Sequence, residues 1–229
     1  MTLASPFFLV NFKTRKGTAG ADGLELARIV ESVHRETGAT LAVAPQALDV
    51  RLLAEHTSVP IVAQAVDATR PDGSNGDVSV EAVAAAGADG ALVNHPECPT
   101  TLEGIERAVQ ACANFGLTSI VCVNSLDTGE AALSFAPDWL LFERPADIGS
   151  TAPMVRTHPE LVETFVELVE RRRPETNVFV GGGIQGARDV ERGFDLGASA
   201  AGASSAFFDA DDRRQWLTAV AAVLAKAKR

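Results

Sequence analysis

Short apolar runs alternate with amphipathic stretches along the whole chain. The runs are typical of buried strands, and between them apolar residues recur three and four positions apart, as on helices that cover a sheet. The strand candidates are Phe7–Asn11, Leu41–Ala44, Ile61–Val66, Gly90–Val93, Ser119–Val123, Trp139–Phe142, Val178–Val180 and Ala200–Ala203. The last candidate is weak because alanine and glycine are poor strand formers. This alternation predicts βα units and a parallel sheet rather than a helical bundle or a β-sandwich.

Local signals predict where several helices begin. Asp22 is available to cap an amphipathic helix over residues 24–33. Thr100 and Glu103 have the spacing of a capping box before the helix that follows the fourth strand. Pro159 suits the first position of the helix after the sixth strand, because an N–H at that position has no partner within a helix.

The number and spacing of these units indicate one domain. The chain has 229 residues, of which 46% are hydrophobic, enough for one sizeable core. No Ser/Gly-rich linker or low-complexity segment divides it. We therefore predict a single α/β domain over residues 1–229, folded as a (β/α)8 TIM barrel. A doubly wound sheet is the competing layout, but no G-x-G-x-x-G motif follows the first strand.

Charge and cysteine content exclude several classes of partner. The formal net charge of −10 would repel nucleic acids and anionic membranes, so we expect neither as a partner. We find no basic leader with an apolar core and no run of about 18 apolar residues. Cys98, Cys112 and Cys122 have neither metal-site spacing nor the pattern of a disulfide framework. These features predict reduced thiols, no metal site and a cytoplasmic location.

Polar residues directly after the strand candidates are the functional candidates, because barrel enzymes place their sites at the C-terminal ends of the strands. Such residues stand at the ends of five strands. They are Asn11 and Lys13 at strand one, Asn94, His95 and Glu97 at strand four, Glu143 at strand six, Gly181–Gly183 at strand seven, and Ser204 and Ser205 at strand eight. Closure of the barrel would aim all five clusters at one mouth.

The clusters after strands seven and eight predict a phosphate site. The segment GGGIQGARDV has the form of a glycine-rich turn that opens a helix and offers backbone N–H groups to an anion. The hydroxyls of Ser204 and Ser205 lie on the neighbouring loop. A tight βα turn needs glycine in any case, so the pairing of the two loops carries the prediction. Phosphate sites recur at this position in barrels of this kind.

The other clusters supply the groups that proton transfer next to a carbonyl requires. Glu143 can act as the base, His95 and Asn11 can donate to a carbonyl oxygen, and Lys13 provides a fixed positive charge. This chemistry needs no metal. Alone, His95 could be a turn histidine and Lys13 a surface lysine, but the combination favours a catalytic site. The helix after strand four would also disfavour the charged imidazolium form of His95.

Five segments, NFKT, VNHPE, FERPADIGS, GGGI and ASS, resemble the triosephosphate isomerase family, especially its short archaeal form, in order and spacing. The resemblance extends along nearly the whole chain. It implies an isomerase of glycolysis and gluconeogenesis that interconverts dihydroxyacetone phosphate and D-glyceraldehyde 3-phosphate without a cofactor. It also implies a small phosphorylated sugar as substrate and a homo-oligomer, either a dimer or a tetramer.

The resemblance also implies a role for each candidate residue. Glu143 would be the base that moves a proton between adjacent carbons, and His95 the neutral electrophile. Asn11 and Lys13 would bind the substrate, and Glu97 would support the site from the turn after His95. The phosphate would be surrounded by Ile148, Gly149, Ser150, Gly182, Gly183, Ser204 and Ser205, mostly through backbone N–H groups. A closing lid after Glu143 is a feature of this family.

Several positions depart from the family pattern. Arg144 replaces a usual proline in the lid hinge, which would loosen the hinge or add charge near the mouth. Pro96 replaces the serine after the histidine, Ala65 replaces a frequent histidine, and Ser204–Ala206 replaces a Ser-Gly pair. The segment 72–79 is shorter than the family's subunit-contact loop, so we expect an altered subunit contact there. Three hypotheses therefore remain open: this isomerase, a related isomerase or epimerase for another sugar phosphate, and a non-catalytic phosphate-binding barrel.

Overall fold

Eight parallel strands form the centre of the protein, as a computed structural model describes it for residues 3–67 and 75–227. The strands are β1 Phe7–Asn11, β2 Thr40–Ala44, β3 Val62–Ala63, β4 Gly90–Val93, β5 Thr118–Val123, β6 Trp139–Phe142, β7 Asn177–Val180 and β8 Ala200–Ala203. Their order in the sheet is β2-β1-β8-β7-β6-β5-β4-β3. A parallel bridge between Val43 and Ile61 joins the two ends of this sheet. The predicted (β/α)8 barrel is confirmed.

Helices cover the outside of the barrel. In the described part of the chain they are α1 Gly20–Thr37, α2 Val50–His56, α3 Val80–Ala85, α4 Leu102–Phe115, α5 Leu126–Leu133, α6 Met154–Thr157, α7 Pro159–Arg172, α8 Ala187–Asp195, α9 Ser205–Phe208 and α10 Arg213–Ala227. Among these same residues we find no helix with the length and apolarity needed to traverse a lipid bilayer.

Alternate side chains of each strand enter two different cores, because successive residues of a strand point to opposite faces. In β1, Phe8 and Val10 belong to the core between the sheet and the helices. Phe7 instead fills the inside of the barrel, where its ring packs edge-on against Trp139 at 4.8 Å and Phe179 at 5.3 Å between centroids. Phe7 and Trp139 are the first residues of their strands, so their rings close the barrel interior opposite the mouth, whereas Phe179 also lines the cavity at the mouth.

The third strand is shorter than predicted. The prediction covered Ile61–Val66, but only Val62 and Ala63 pair with β4. Ile61 forms a single bridge to β2 instead. Beyond Ala63 the side chain of Gln64 donates to the carbonyl oxygen of Ala44 at 2.9 Å. A side-chain hydrogen bond thus replaces the backbone ladder where the strand was expected to continue.

The first helix is not capped by the residue that the sequence predicted. Helix α1 begins at Gly20, and Asp22 lies inside its first turn. The carboxylate of Asp49, which is distant in the sequence, accepts the N–H of Gly20 at 2.9 Å. The prediction of an Asp22 cap is therefore wrong, because a tertiary contact provides the acceptor.

The cap of α4 is displaced by one residue. Thr101, not Thr100, accepts the N–H of Gly104 through its hydroxyl at 3.1 Å. The N–H of Thr100 donates to Asn94 Oδ1 at 3.0 Å, which ties the start of the helix to the strand end that carries His95. Pro159 is the first residue of α7, as predicted.

The three cysteines are unpaired, and only Cys98 is exposed. Burial, reinforced by the nearby charge of Asp138, raises the pKa of the Cys112 thiol to about 12. Burial also raises the pKa of Cys122 well above its usual value, with a further contribution from Glu143. Cys98 is therefore the thiol most accessible to modifying reagents.

Phe165 supports the end of the strand that carries the candidate base. Its ring stacks on Phe142, the last residue of β6, with centroids 4.1 Å apart. We expect Phe165→Ala to lower the free energy of unfolding by about 3–5 kcal/mol, because it leaves a cavity in the core. Urea denaturation at one fixed protein concentration would measure the loss. The matched control Phe115→Ala, at a site 47% exposed, should cost far less, and equal losses would contradict this account.

Candidate active site

A cavity lies at the C-terminal mouth of the barrel, and residues from the five predicted clusters line it. The predicted residues on its wall are Asn11, Lys13, His95, Glu143, Ile148, Gly149, Ser150, Gly182, Gly183, Ser204 and Ser205. Glu97 does not line the cavity but lies behind Lys13. Gln185 and Ala206 also line it, and the sequence analysis did not identify Gln185.

The side chains of Glu143 and His95 lie next to each other on the wall of the cavity. His95 Nε2 lies 3.2 Å from Glu143 Oε1, and both side chains are almost completely buried. The two atoms are not aligned as a hydrogen bond, and Glu143 Oε1 is buried without a hydrogen-bond partner among the described residues. A buried carboxylate oxygen in this state is costly, so it is typical of sites where a ligand completes the bonding.

The space occupied by the Glu143 carboxylate explains the glycine at position 181. A Cβ atom at Gly181 would lie 2.7 Å from Glu143 Oε2 and 2.9 Å from Leu141 Cδ1. Any side chain there would displace the Glu143 carboxylate and the end of the Leu141 side chain. Gly181 therefore positions the candidate base as well as shaping the turn.

A local turn determines which ring nitrogen of His95 carries the proton. The backbone N–H of Glu97 donates to His95 Nδ1 at 3.1 Å, so Nδ1 carries a lone pair and the ring is neutral with its proton on Nε2. This donor belongs to Glu97, so the lack of an N–H at Pro96 does not remove it. Helix α4 begins only at Leu102, so the backbone N–H that contacts the ring comes from the turn before this helix.

The turn that carries His95 is held from both sides by Asn94, which has a left-handed backbone with φ of 62°. Its side chain donates to the carbonyl oxygen of Cys122 on β5 at 3.0 Å. It also accepts the N–H of Thr100, as described above. Left-handed backbone is uncommon outside glycine, and asparagine is one of the residues that tolerates it best.

Lys13 is fixed by two contacts of different kinds. Its backbone, also left-handed with φ of 50°, donates its N–H to Asn11 Oδ1 at 2.9 Å. Its ammonium group donates to Glu97 Oε2 at 2.7 Å. This hydrogen bond from Lys13 holds the pKa of Glu97 below its usual value, against the opposing effect of burial. Asn11 keeps its side-chain N–H groups available for a ligand.

The candidate lid rests on the glycine-rich turn after β7. Gln185 Nε2 donates to the carbonyl oxygens of Gly183 at 2.9 Å and Ser150 at 3.3 Å. Gly183 has φ of 75°, and a Cβ atom there would lie 3.0 Å from Ser150 Oγ and 3.1 Å from Pro153. The left-handed backbone and the close approach of the lid both favour glycine at this position.

Arg144 cross-links the lid hinge. Its Nε and Nη2 donate to the two carboxylate oxygens of the buried Asp147 at 2.9 and 2.8 Å. Its Nη1 lies 3.0 Å from His158 Nε2, at the start of α7. The sequence predicted a looser hinge or a free charge near the mouth. The structure instead pairs this charge and ties the hinge together.

The two phosphate-site loops differ in one respect from the prediction. Helix α8 begins at Ala187 rather than at the glycines, so Gly182 and Gly183 offer N–H groups from a turn. On the neighbouring loop after β8, Ser204 Oγ is buried and has no hydrogen-bond partner in the described chain. Ser205 Oγ accepts a hydrogen bond from Arg15 at 2.8 Å.

The remaining positions that depart from the family pattern lie around β3. Ala65 is partly buried just beyond the end of this strand. Residues 72–74 of the segment 72–79 lie outside the described residues. The end of this segment is fixed, since the N–H of Asp67 donates to the carbonyl oxygen of Val78 at 2.9 Å. The prediction that this segment alters a subunit contact stays a prediction.

A (β/α)8 barrel with a glutamate, a histidine, a lysine and a glycine-rich turn around one cavity at its mouth has the architecture of the barrel enzymes, whose active sites lie at the C-terminal ends of the strands. The model of the triosephosphate isomerase family matches residues 6–221. The chain belongs to the triosephosphate isomerase family.

Individual comparisons agree with this assignment. The triosephosphate isomerase of Methanocaldococcus jannaschii is 37% identical over 190 residues, covering 83% of this chain and 87% of that protein. The triosephosphate isomerase of Methanothermus fervidus is 36% identical over 212 residues, covering 93% of this chain and 96% of that protein. The crystal structure of triosephosphate isomerase from Bartonella henselae superposes with a TM-score of 0.76 over 95% of this chain and 98% of its own. At 14% identity it supports the fold alone.

The Lys13–Glu97 pair can be tested by titration. Because the folded-state pKa of Glu97 is lowered, the contribution of this pair to stability is fully present above about pH 4.3 and is lost as the pH falls through the folded-state pKa. Carbon-13 NMR of the Glu97 carboxyl should give a midpoint below about 4.3 in the wild type. We expect Lys13→Met to raise the midpoint and Lys16→Met, on the exposed part of the same loop, to leave it unchanged. An unchanged midpoint in Lys13→Met would refute the pairing.

The hinge cross-link predicts a local change in dynamics. Arg144→Met would leave the buried Asp147 carboxylate without its main donors, so amide hydrogen exchange over residues 145–150 should accelerate. Hydrogen exchange followed by mass spectrometry at neutral pH would measure it. Arg107→Met, which removes an exposed arginine on α4, is the control and should leave this segment protected. Equal protection in both variants would show that Arg144 does not restrain the hinge.

Proposed function

We propose that this protein interconverts dihydroxyacetone phosphate and D-glyceraldehyde 3-phosphate through an enediolate. One observation carries the proposal: a buried Glu143 oxygen, which has no hydrogen-bond partner among the described residues, lies 3.2 Å from the Nε2 atom of a neutral His95. This pair supplies the base and the proton donor that such a reaction needs, and family membership supports the choice of substrate.

Glu143 removes a proton from the carbon next to the carbonyl group and returns it to the adjacent carbon. Between these steps, negative charge develops on the substrate oxygens, and the Nε2–H of His95 donates to them. Atoms and electrons of the substrate are conserved overall, so the reaction needs no redox cofactor. The neutral ring suits this role because its single cavity-facing proton can be donated and recovered.

Lys13 stabilises the developing charge and the bound anion. Its hydrogen bond to Glu97 holds the ammonium group in place, which makes Glu97 a positioning residue. Asn11 accepts the backbone N–H of Lys13 and presents its side-chain N–H groups to the substrate. Donors that are already oriented lose little freedom when the charge develops.

The phosphate group binds at the other end of the cavity. Gly182 and Gly183 offer backbone N–H groups, and Ser204 and Ser205 lie on the neighbouring loop. The lid segment Ile148, Gly149 and Ser150 completes the wall and rests on the glycine turn through Gln185. Binding energy from the phosphate would hold this segment over the reacting carbons and exclude water.

We also infer a role in glycolysis and gluconeogenesis in the cytoplasm, with the protein acting as a homo-oligomer. Membership of the triosephosphate isomerase family supports these inferences. Size measurement in solution would test the assembly.

Substitution of the base provides the central test. We expect Glu143→Gln to lower kcat by about 10²–10⁴-fold and His95→Gln by a comparable factor, because each removes a proton-transfer group. KM should change little. A coupled assay that starts from glyceraldehyde 3-phosphate would measure both parameters. Glu163→Gln, the same change at an exposed position of α7, is the matched control.

Three outcomes would contradict the proposal. Absence of turnover in the folded wild type, with phosphate still bound, would favour a non-catalytic phosphate-binding barrel. Faster turnover of tetrose or pentose phosphates would favour a related isomerase or epimerase. Full activity in Glu143→Gln would exclude this residue as the base.

A further inference from the structure

The wall of the cavity carries little positive side-chain charge for a doubly charged ligand. Lys13 is the single lysine or arginine that lines the cavity in the described part of the chain, and it is paired with Glu97 at 2.7 Å. Glu143 adds a second carboxylate, and the whole chain carries a net charge of −10. These carboxylates repel an anionic ligand, and charges interact strongly at short distances where water is partly excluded. Further positive charge nearby would therefore strengthen the binding of a phosphate monoester dianion beyond what the backbone N–H groups supply.

Arg15 lies where this charge is needed. It follows Lys13 by two positions on the loop after β1, and its Nη2 donates to Ser205 Oγ at 2.8 Å. Its guanidinium carbon lies 5.1 Å above the centre of the Phe208 ring, on the same short helix as Ser205. Among residues 3–67 and 75–227, no carboxylate forms an ion pair with Arg15. Within the described residues, the positive charge of Arg15 is therefore not neutralised by a carboxylate.

The backbone of this loop is held firmly. Thr18 Oγ1 accepts the N–H of Arg15 at 3.3 Å and donates to its carbonyl oxygen at 2.8 Å. Gln46 Nε2 donates to the same hydroxyl oxygen at 3.1 Å, and Thr18 is 1% exposed. A guanidinium fixed at its backbone and stacked on an aromatic ring loses little freedom when a ligand binds.

The hydrogen bond from Arg15 leaves the Ser205 hydroxyl group free to act as a hydrogen-bond donor. Arg15 donates to Oγ, so the hydroxyl proton of Ser205 remains available for another acceptor. A cationic donor on the oxygen polarises the hydroxyl and makes it a stronger donor in its turn. Ser205 lines the cavity beside Ser204, whose buried Oγ has no partner in the described chain. Both hydroxyls are therefore suited to a ligand oxygen.

We propose that Arg15 is a positioning residue for the phosphate group: it orients the Ser205 hydroxyl toward the dianion and places an unneutralised positive charge directly behind it. This inference rests on the proposed function only in taking a phosphate monoester as the ligand. The role is one of binding, since Arg15 acts through Ser205 and not on the reacting carbons. Its loss should raise KM and leave kcat nearly unchanged.

The experiment measures binding of inorganic phosphate by calorimetry at fixed ionic strength, together with kcat and KM for glyceraldehyde 3-phosphate. We expect Arg15→Gln to weaken phosphate binding roughly tenfold and to raise KM by a similar factor. Arg15→Lys should recover part of the loss, because it keeps the charge without the planar donor group. Lys16→Gln removes the same charge from an exposed neighbouring position and should change the affinity less than about twofold.

A double-mutant cycle with Ser205→Ala tests whether Arg15 acts through this hydroxyl. If it does, the losses in Arg15→Gln and Ser205→Ala will not add in the double variant. Phosphate affinity in Arg15→Gln equal to that in Lys16→Gln would overturn the inference, as would a loss confined to kcat. Thermal unfolding of each variant checks the fold, and Arg15→Lys keeps the test decisive if Arg15→Gln is unstable.

The two proposals fail in distinguishable ways, because phosphate binding is measured without turnover. A wild-type protein without isomerase activity would refute the proposed function, and a roughly tenfold weaker phosphate affinity in Arg15→Gln would still support the role of Arg15. An active enzyme whose phosphate affinity is insensitive to Arg15 would refute only the inference about Arg15.

Discussion

Closure of the parallel sheet into a ring is the constraint on which the site depends. The bridge between Val43 and Ile61 joins the ends of the eight-stranded sheet. Because every strand runs in the same direction, closure brings all the carboxyl ends to one mouth. Asn11, His95 and Glu143 thus meet in one cavity although they are far apart in the chain. Aromatic rings fill the opposite end of the barrel interior, so the mouth is where a ligand can enter.

Several functional groups are held in conformations that would be unfavourable alone. Lys13 and Asn94 have left-handed backbones, and Glu143 has a buried oxygen without a hydrogen-bond partner in the described residues. Each state costs free energy that the surrounding packing must offset. Stacking of Phe142 on Phe165 and the side-chain bonds of Asn94 provide part of that support. A rigid barrel can therefore present a carboxylate and an imidazole already in place for a substrate.

The strand pattern could be predicted closely because burial on both faces leaves a strong signal in the sequence. The bounds of β1, β4, β6 and β8 agree with the prediction, and those of β2, β5 and β7 differ by one residue at their starts. β3 was overestimated, because Gln64 bonds to Ala44 where the ladder was expected to continue. The Asp22 cap was wrong for a similar reason, since the acceptor at Gly20 comes from Asp49. Local propensity cannot reveal an acceptor that is remote in the sequence.

The sequence by itself determined the barrel, the family resemblance and the strand-end residues that line the cavity. The reason is that the periodicity of apolar residues and the spacing of motifs can be read directly from the chain. The tertiary structure alone decided how those residues are connected. It paired Lys13 with Glu97, placed Arg144 between Asp147 and His158, and brought Arg15 to Ser205. The distances between these side chains depend on how the chain folds, and the spacing of the residues in the sequence does not reveal them. Long side chains such as arginine have several possible partners within reach, and only the folded geometry selects one.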